Sequence, residues 1–422
     1  MPDTPPKEAI FTRLTGAEPD SRAEPPNFLR HVAALGLTKT ADGLADVKLV
    51  LSWLMTALGA PSALVGLLVP VREAGSLLPQ MLVAPHVRRL ARRKWVWAGA
   101  AAVQGVALLA MAAAGVTLSG TLAGIAVLLA LLMLALARAF ASVSYKDILG
   151  RTLGKGRRGT ATGLAGSISA AAVLVFALLL MTGWVDRFAL VIGALVVAGA
   201  AFLAAAVVFA RLEEDRTEPE DAEFSLRAML DLFGYLREDP QLSRLILARG
   251  LLTATALAPP YLVLLASGAT QGTLDSLGAM LLASALAALV SGYVWGRMSD
   301  RSSRLVLVFT GIAGALGMVL AVGLATLGLE GALPVALFAL MVAHQGVRVG
   351  RKTHLVDMAA EDKRAAYTAL SNTIIGVALM GAGVFGALAS LAGAGVTLTV
   401  FAGMAIAGSW VAWGLDETGG KT

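Results

Sequence analysis

Apolar stretches of membrane-spanning length recur along this chain, each ended by glycine, proline or a cluster of charge, and few folds accommodate that pattern. A helix needs about 20 apolar residues to cross a bilayer. Twelve segments meet that length: 30–57, 61–84, 95–117, 120–145, 160–182 and 185–210, then 243–267, 274–297, 303–327, 332–351, 365–392 and 395–415. Only 15% of the residues are charged and 57% are hydrophobic, which excludes a soluble enzyme and a disordered chain. With no cysteine, disulfides and thiolate metal sites are excluded as well.

Basic residues cluster in alternate connections and set the expected orientation, because Lys and Arg near span ends stay cytoplasmic. His86, Arg88, Arg89, Arg92, Arg93 and Lys94 follow the second span, and Lys146, Arg151, Lys155, Arg157 and Arg158 follow the fourth. Arg297, Arg301 and Arg304 follow the eighth; Arg351, Lys352, Lys363 and Arg364 follow the tenth. The opposite connections carry little beyond Asp186, Arg187, Asp275 and Glu330. A multi-pass protein of the cell (inner) membrane with both termini cytoplasmic is expected. The net charge of +6 is this topological signal, and no nucleic-acid partner is called for.

Residues 1–29, of mixed charge and rich in proline, read as a floppy cytoplasmic tail rather than a cleavable leader. A polar connector over 211–242 separates 30–210 from 243–415, and 416–422 form a second tail. Within the connector Phe224, Leu226, Leu230, Phe233 and Leu236 fall at helical spacing between Arg227, Asp231, Arg237 and Glu238, which predicts an amphipathic helix on the inner membrane surface. The flanking regions repeat each other. At one constant shift Lys146 meets Lys352, Leu149 meets Leu355, Arg158 meets Arg364, Thr162 meets Thr368 and Leu164 meets Leu370. An all-α polytopic membrane fold of twelve transmembrane helices in two six-helix bundles is thus expected.

One loop motif agrees with that count. Gly296-Arg297-Met298-Ser299-Asp300-Arg301-Ser302-Ser303-Arg304 is similar to the G-x3-D-R-x-G-R signature of the major facilitator superfamily, with Ser303 in place of its second glycine. The resemblance covers residues 27–415 and implies a carrier whose halves rock about a central site. It also implies a cytoplasmic gate: Gly296 permitting close helix approach, Asp300 accepting from a helix N-terminus or an arginine, Arg301 and Arg304 pairing with acids. The matching first-half stretch, Ala84 to Arg92, has Arg88 where the acid should stand, so Arg88 and Arg89 are either anchors or partners for acids elsewhere. The drug-antiporter, sugar-porter and peptide-symporter signatures are missing.

Charge inside the spans is the remaining signal, since each mid-membrane charge costs roughly 2.5–3.5 kcal/mol on insertion scales and needs water, a partner or a task. Lys39, Asp42 and Asp46 share one face of the first span, with Lys48 pointing elsewhere. They are either a neutralising pair of Lys39 with an aspartate, or a proton site centred on Asp42, then Asp46. Arg72 and Glu73 adjoin in the second span, Arg72 within reach of a first-span aspartate. The repeat sets Arg138 against His344 and Ser142 against Arg348. His344 is either a packing group or a proton relay, while Arg348, Arg351 and Tyr145 read as interface anchors and Arg249 as an anchor or more. Asn372 either bonds substrate or satisfies a neighbouring helix.

These readings converge on a secondary transporter of a small organic solute, coupled to protons, with Asp42, Asp46, Glu73 and His344 as coupling candidates. Lys39, Arg72, Arg138, Arg348 and Asn372 are the substrate-binding candidates. Interior cations outnumber carboxylates, which leans toward an anionic solute; efflux of amphipathic compounds is the alternative. A non-transporting assembly factor or sensor on the same scaffold is the reading from another class. No cofactor or metal is expected, no G-x4-G-K-S/T loop is present, and neither H-E-x-x-H nor G-x-S-x-G appears, so a membrane enzyme is disfavoured. Monomer is the default state.

Overall fold

The computed structural model describes residues 6–16, 18–216, 231–267, 276–360 and 363–417. All of the secondary structure among them is helical: α1 (Pro6–Thr15), α2 (Glu24–Leu44), α3 (Val50–Ala57), α4 (Ser62–Gly66), α5 (Leu68–Leu77), α6 (Pro79–Arg88), α7 (Lys94–Thr117), α8 (Gly120–Thr152), α9 (Lys155–Thr182) and α10 (Arg187–Ala210) in the first half. The second half contributes α11 (Tyr235–Glu238), α12 (Pro240–Leu252), α13 (Ala254–Leu257), α14 (Pro259–Ser267), α15 (Leu277–Arg301), α16 (Ser303–Thr326), α17 (Leu333–Met358), α18 (Arg364–Gly381), α19 (Gly383–Ala392) and α20 (Ala394–Trp413). This is an all-α polytopic membrane fold. Nine helical segments among the described residues are long and apolar enough to cross a membrane, or ten if the bent pair Ser62–Leu77 and Leu82–Arg88 is one span.

Several expected continuous spans are broken, and each break has a local cause. The first runs as α2 and α3 with a non-helical joint at 45–49. There Asp46 Oδ1 accepts the backbone N–H groups of Lys48 (2.9 Å) and Leu49 (2.8 Å), an Asx turn that holds the joint before α3 begins. Pro79 opens α6, and Pro259-Pro260 open α14, because proline removes the N–H that would continue the ladder. Elsewhere ends follow ordinary capping: Asp186 accepts from Ala189 N (2.9 Å), Ser302 from Leu305 N (3.1 Å), and Asp239 from Gln241 N (3.0 Å). Helices α8 and α17 run on to Thr152 and Met358, beyond the expected 145 and 351, since a basic end in water can remain helical.

Helices α2, α7, α8, α9 and α10 pack on one another, as do α12, α15, α16, α17 and α20. Lipid supplies no hydrophobic drive between helices, so close backbone approach matters. A Cβ on Gly105 would stand 2.8 Å from the Gly199 carbonyl, which fixes how near α7 and α10 lie. The two halves meet through α3 with α14, α4 with α19, α5 with α18, and α9 with α15. The α4–α19 crossing is backbone on backbone: a Cβ on Gly66 would fall 2.6 Å from Gly386 Cα, and Ser62 Oγ lies 2.8 Å from Ser390 Oγ. This joins the halves at the end of the molecule opposite the basic loops.

The amino-terminal segment is not the floppy tail that composition suggested. Phe11 on α1 is fully buried, edge-on to Phe28 at 5.3 Å, and Arg157 reaches Asp20 and Glu24 (3.0 Å to Glu24). Asp20, outside the membrane, is held below the usual carboxylate range by the Arg157 hydrogen bond. The connector is likewise tied to the first half, where Glu214 accepts from the backbone N–H groups of Arg93 (3.0 Å) and Lys94 (2.9 Å). Arg304 meets Glu417 at 3.0 Å, so α1 and the segment after α20 both lie against the basic loops. Of the expected amphipathic helix, Phe224, Leu226, Arg227 and Leu230 lie outside the described residues, while Leu232–Gly234 and α11 form short helical turns.

Trp95, Trp184, Trp410 and Trp413 are exposed near helix ends, whereas Trp97 is buried, its ring 3.9 Å from that of Phe209.

Candidate functional site

Asp42 on α2 is the hub of the first half. Both its carboxylate oxygens accept from the Arg138 guanidinium, Oδ2 at 2.6 Å, and Arg72 approaches Oδ1 at 3.7 Å. Arg138 also donates from Nε to Gln104 Oε1 (2.9 Å) and lies over the Phe202 ring at 5.8 Å. A bidentate fork of this kind fixes geometry as well as charge. Lys39 does not join it: its ammonium donates to the Thr162 carbonyl on α9 at 2.9 Å, so the Lys39–aspartate pair is replaced by an Arg138–Asp42 pair. Arg138 engages both oxygens of Asp42, and Lys39, although it shares that helix face, turns to the α9 backbone.

Asp46 does a structural task, holding the 45–49 joint through the two backbone N–H groups named above. Beyond it the broken joint turns Lys48 inward, and Lys48 Nζ lies 2.8 Å from His344 Nε2 on α17, a contact between the two halves. An ammonium only donates, so Nε2 carries the lone pair and the proton sits on Nδ1, which faces Thr255 Oγ1 at 3.2 Å. The Thr255 hydroxyl in turn donates to the Leu252 carbonyl at 2.9 Å. A second proton on His344 would set two cations face to face.

Glu73 on α5 is half-buried and forms no ion pair among the described residues, yet it lies within electrostatic range of Lys48, Arg249 and Arg351. Arg249 on α12 is 8% exposed and donates to Ser371 Oγ (2.6 Å) and Asn372 Oδ1 (2.9 Å), both on α18. Asn372 therefore serves a neighbouring side chain in this arrangement. Arg348 is exposed, 3.4 Å from Gln345, and Arg351 is half-buried.

The gate residues are only partly drawn together. A Cβ on Gly296 would meet nothing within 4 Å, so this glycine does not mark the close approach the motif implied. The Asp300 side chain lies outside the described residues; Arg301 is exposed, and Arg304 pairs with Glu417 under Trp413. In the first half Arg88 and Arg89 are exposed, and it is Arg93 that finds an acid, Asp147 of α8, at 2.7 Å, with Arg151 on the same carboxylate at 3.0 Å. Sequence reasoning missed Gln104, Asp147 and Thr255 as partners; a lone glutamine in the apolar α7 was the one visible signal.

Two halves of packed helices, joined at one end and charged between them, define a class of protein: the chain has the major facilitator fold. A variant of the nucleoside transporter NupG superposes with a TM-score of 0.71 at 14% identity, over 92% of this chain and 99% of that one. A D-xylose-proton symporter gives 0.66 at 13% (94% and 99%), and a POT family transporter in complex with 5-aminolevulinic acid gives 0.66 at 12% (92% and 94%). No protein-family model matches the sequence, and no curated protein sequence matches it. The likeness thus lies in the fold.

Proposed function

We propose that this chain is a secondary active transporter that carries a small organic solute between its halves by alternating access, with protons as the coupling ion. The observation that carries this reading is Glu73: a carboxylate at the junction of the halves, within electrostatic range of cations of both and in no ion pair among the described residues. Such a group can take up and release a proton as the cavity around it opens and closes. Asp42 is a poorer carrier, being clamped by two arginines. His344 is the second proton candidate, through its link to Lys48. That a D-xylose-proton symporter shares the fold supports coupling to protons.

In this reading α2 with α3, α4 with α5 and α6, α12 with α13 and α14, and α18 with α19 are each one crossing. The total is twelve, in bundles 30–210 and 243–415, with the basic loops and both termini in the cytoplasm and the joined end outward. The excess of interior cations supports an anionic solute.

Proteoliposomes with an imposed pH gradient, screened against pooled labelled metabolites, test the reading. Wild type accumulates a solute, while Glu73→Gln loses gradient-driven accumulation and keeps solute exchange. Equal accumulation by Glu73→Gln removes Glu73 from coupling; no flux of any solute favours the non-transporting sensor.

A further inference from the structure

We infer that the second half holds a receptor for an oxyanion centred on Arg249, and that the solute is a small organic anion bearing two negative charges, as carboxylates or a phosphate. This inference rests on the transporter reading and deepens it.

Arg249 is 92% covered, its two hydrogen-bond partners are neutral, and its Nε is buried with no hydrogen-bond partner among the described residues. A guanidinium has five N–H donors and cannot shed its charge, so burying one beside a hydroxyl and an amide oxygen leaves both charge and donors unsatisfied. In the first half the comparable cation, Arg138, has its carboxylate.

The surroundings sharpen the deficit. Arg351 lies within electrostatic range of Arg249 and makes no hydrogen bond or ion pair among the described residues. Among the described residues Arg348 hydrogen-bonds Gln345 alone and Lys48 hydrogen-bonds the His344 lone pair alone through its ammonium, leaving two ammonium hydrogens. Lys48, Arg72, Arg138, Arg249, Arg348 and Arg351 face Asp42, Asp46 and Glu73, six cations against three carboxylates. Asp42 is taken by Arg138, and Asp46 accepts from its own joint's backbone. A guest carrying two negative charges offsets most of the excess of three and supplies the fork-shaped acceptor that Ser371 and Asn372 do not. Ser371 and Asn372 then act as positioning residues, holding the guanidinium plane.

Calorimetric titration of the purified full-length protein tests this, with succinate and glucose 6-phosphate as the two oxyanion sources and xylose and uridine as neutral comparators. At least one oxyanion binds; the succinate and sugar phosphate arms decide between carboxylate and phosphate. Arg249→Gln weakens that binding about tenfold or more, the usual loss for a charge-assisted hydrogen bond. Arg249→Lys, which keeps the charge and loses the fork, falls between. Arg351→Gln has no hydrogen bond to break in the fold and also weakens binding, which guards against a folding defect in the Arg249 variants. Binding of neither oxyanion, binding of a neutral comparator alone, or unchanged affinity in both Gln variants overturns the inference. Flux of a neutral solute in the proteoliposomes would leave the carrier standing without this receptor, and Arg249-dependent binding without any flux would leave the receptor standing without the carrier.

Discussion

The two halves treat the same repeat differently. At the basic end they agree in detail: Arg158 donates to the carbonyls of Gly150 and Leu153 (2.9 Å to Leu153), and Arg364 donates to those of Val356 (3.1 Å) and Ala359 (3.2 Å), which occupy the same repeat positions. Thr162 and Thr368 then donate back to the carbonyls of Arg158 and Arg364. At mid-depth they part. Arg138 finds Asp42, whereas its counterpart is the neutral His344, and the second half's own buried arginine finds only a serine and an asparagine. The helix caps match between the halves while the interiors differ: one half holds a closed ion pair and the other an arginine bonded to neutral groups.

Locking the joined end should have the largest effect. The chain has no cysteine, so Ser62→Cys with Ser390→Cys introduces one defined pair where the hydroxyls lie 2.8 Å apart. Oxidation should form the disulfide and abolish solute turnover, with reduction restoring it; turnover unaffected by a formed disulfide would show that these ends never separate. Next comes the closed pair. Asp42→Asn or Arg138→Gln should destabilise the protein by about 2–4 kcal/mol in denaturant titrations, somewhat under a fully buried pair because Asp42 retains 33% side-chain exposure. The double variant should recover part of that loss, and strict additivity would mean the pair is not a unit.

The matched caps sharpen the likeness of the halves. Arg158→Ala and Arg364→Ala should each cost about 1 kcal/mol, nearly equal, by the same unfolding measurement; a large difference would show that the repeat is similar in form but not in energetics. Smallest is the tail. Asp20 sits below its ordinary range in the fold, so its contribution is present above the unfolded carboxylate value and is lost as pH falls through the folded one. Protease cleavage between α1 and α2 should rise at acid pH, and Asp20→Asn should remove that pH dependence.

Much of this was legible in the residues. Span positions, the repeat and the basic ends follow from local hydropathy and charge, and most helix bounds agree within a few residues. The candidate site was legible as a set of residues but not as a set of pairs. Lys39 and Asp42 share a helix face, yet the side chain that reaches Asp42 comes from α8, and nothing at i, i+3 spacing foretells a partner from elsewhere in the bundle. Asp46 carries the same charge as Asp42 yet binds backbone N–H groups rather than a cation, because the helix breaks at 45–49 and its carboxylate turns back on the joint.

The sequence by itself determined that this chain is a duplicated set of apolar helices with charge threaded through the middle, since the cost of a polar group in lipid is a local quantity that each residue brings with it. Tertiary structure alone decided which charges meet: that Arg138 closes on Asp42, that Lys48 crosses to His344, and that Glu73 and Arg249 form no ion pair among the described residues. Those outcomes depend on distances between helices far apart in the chain, and an electrostatic interaction is settled by distance and shielding rather than by residue type.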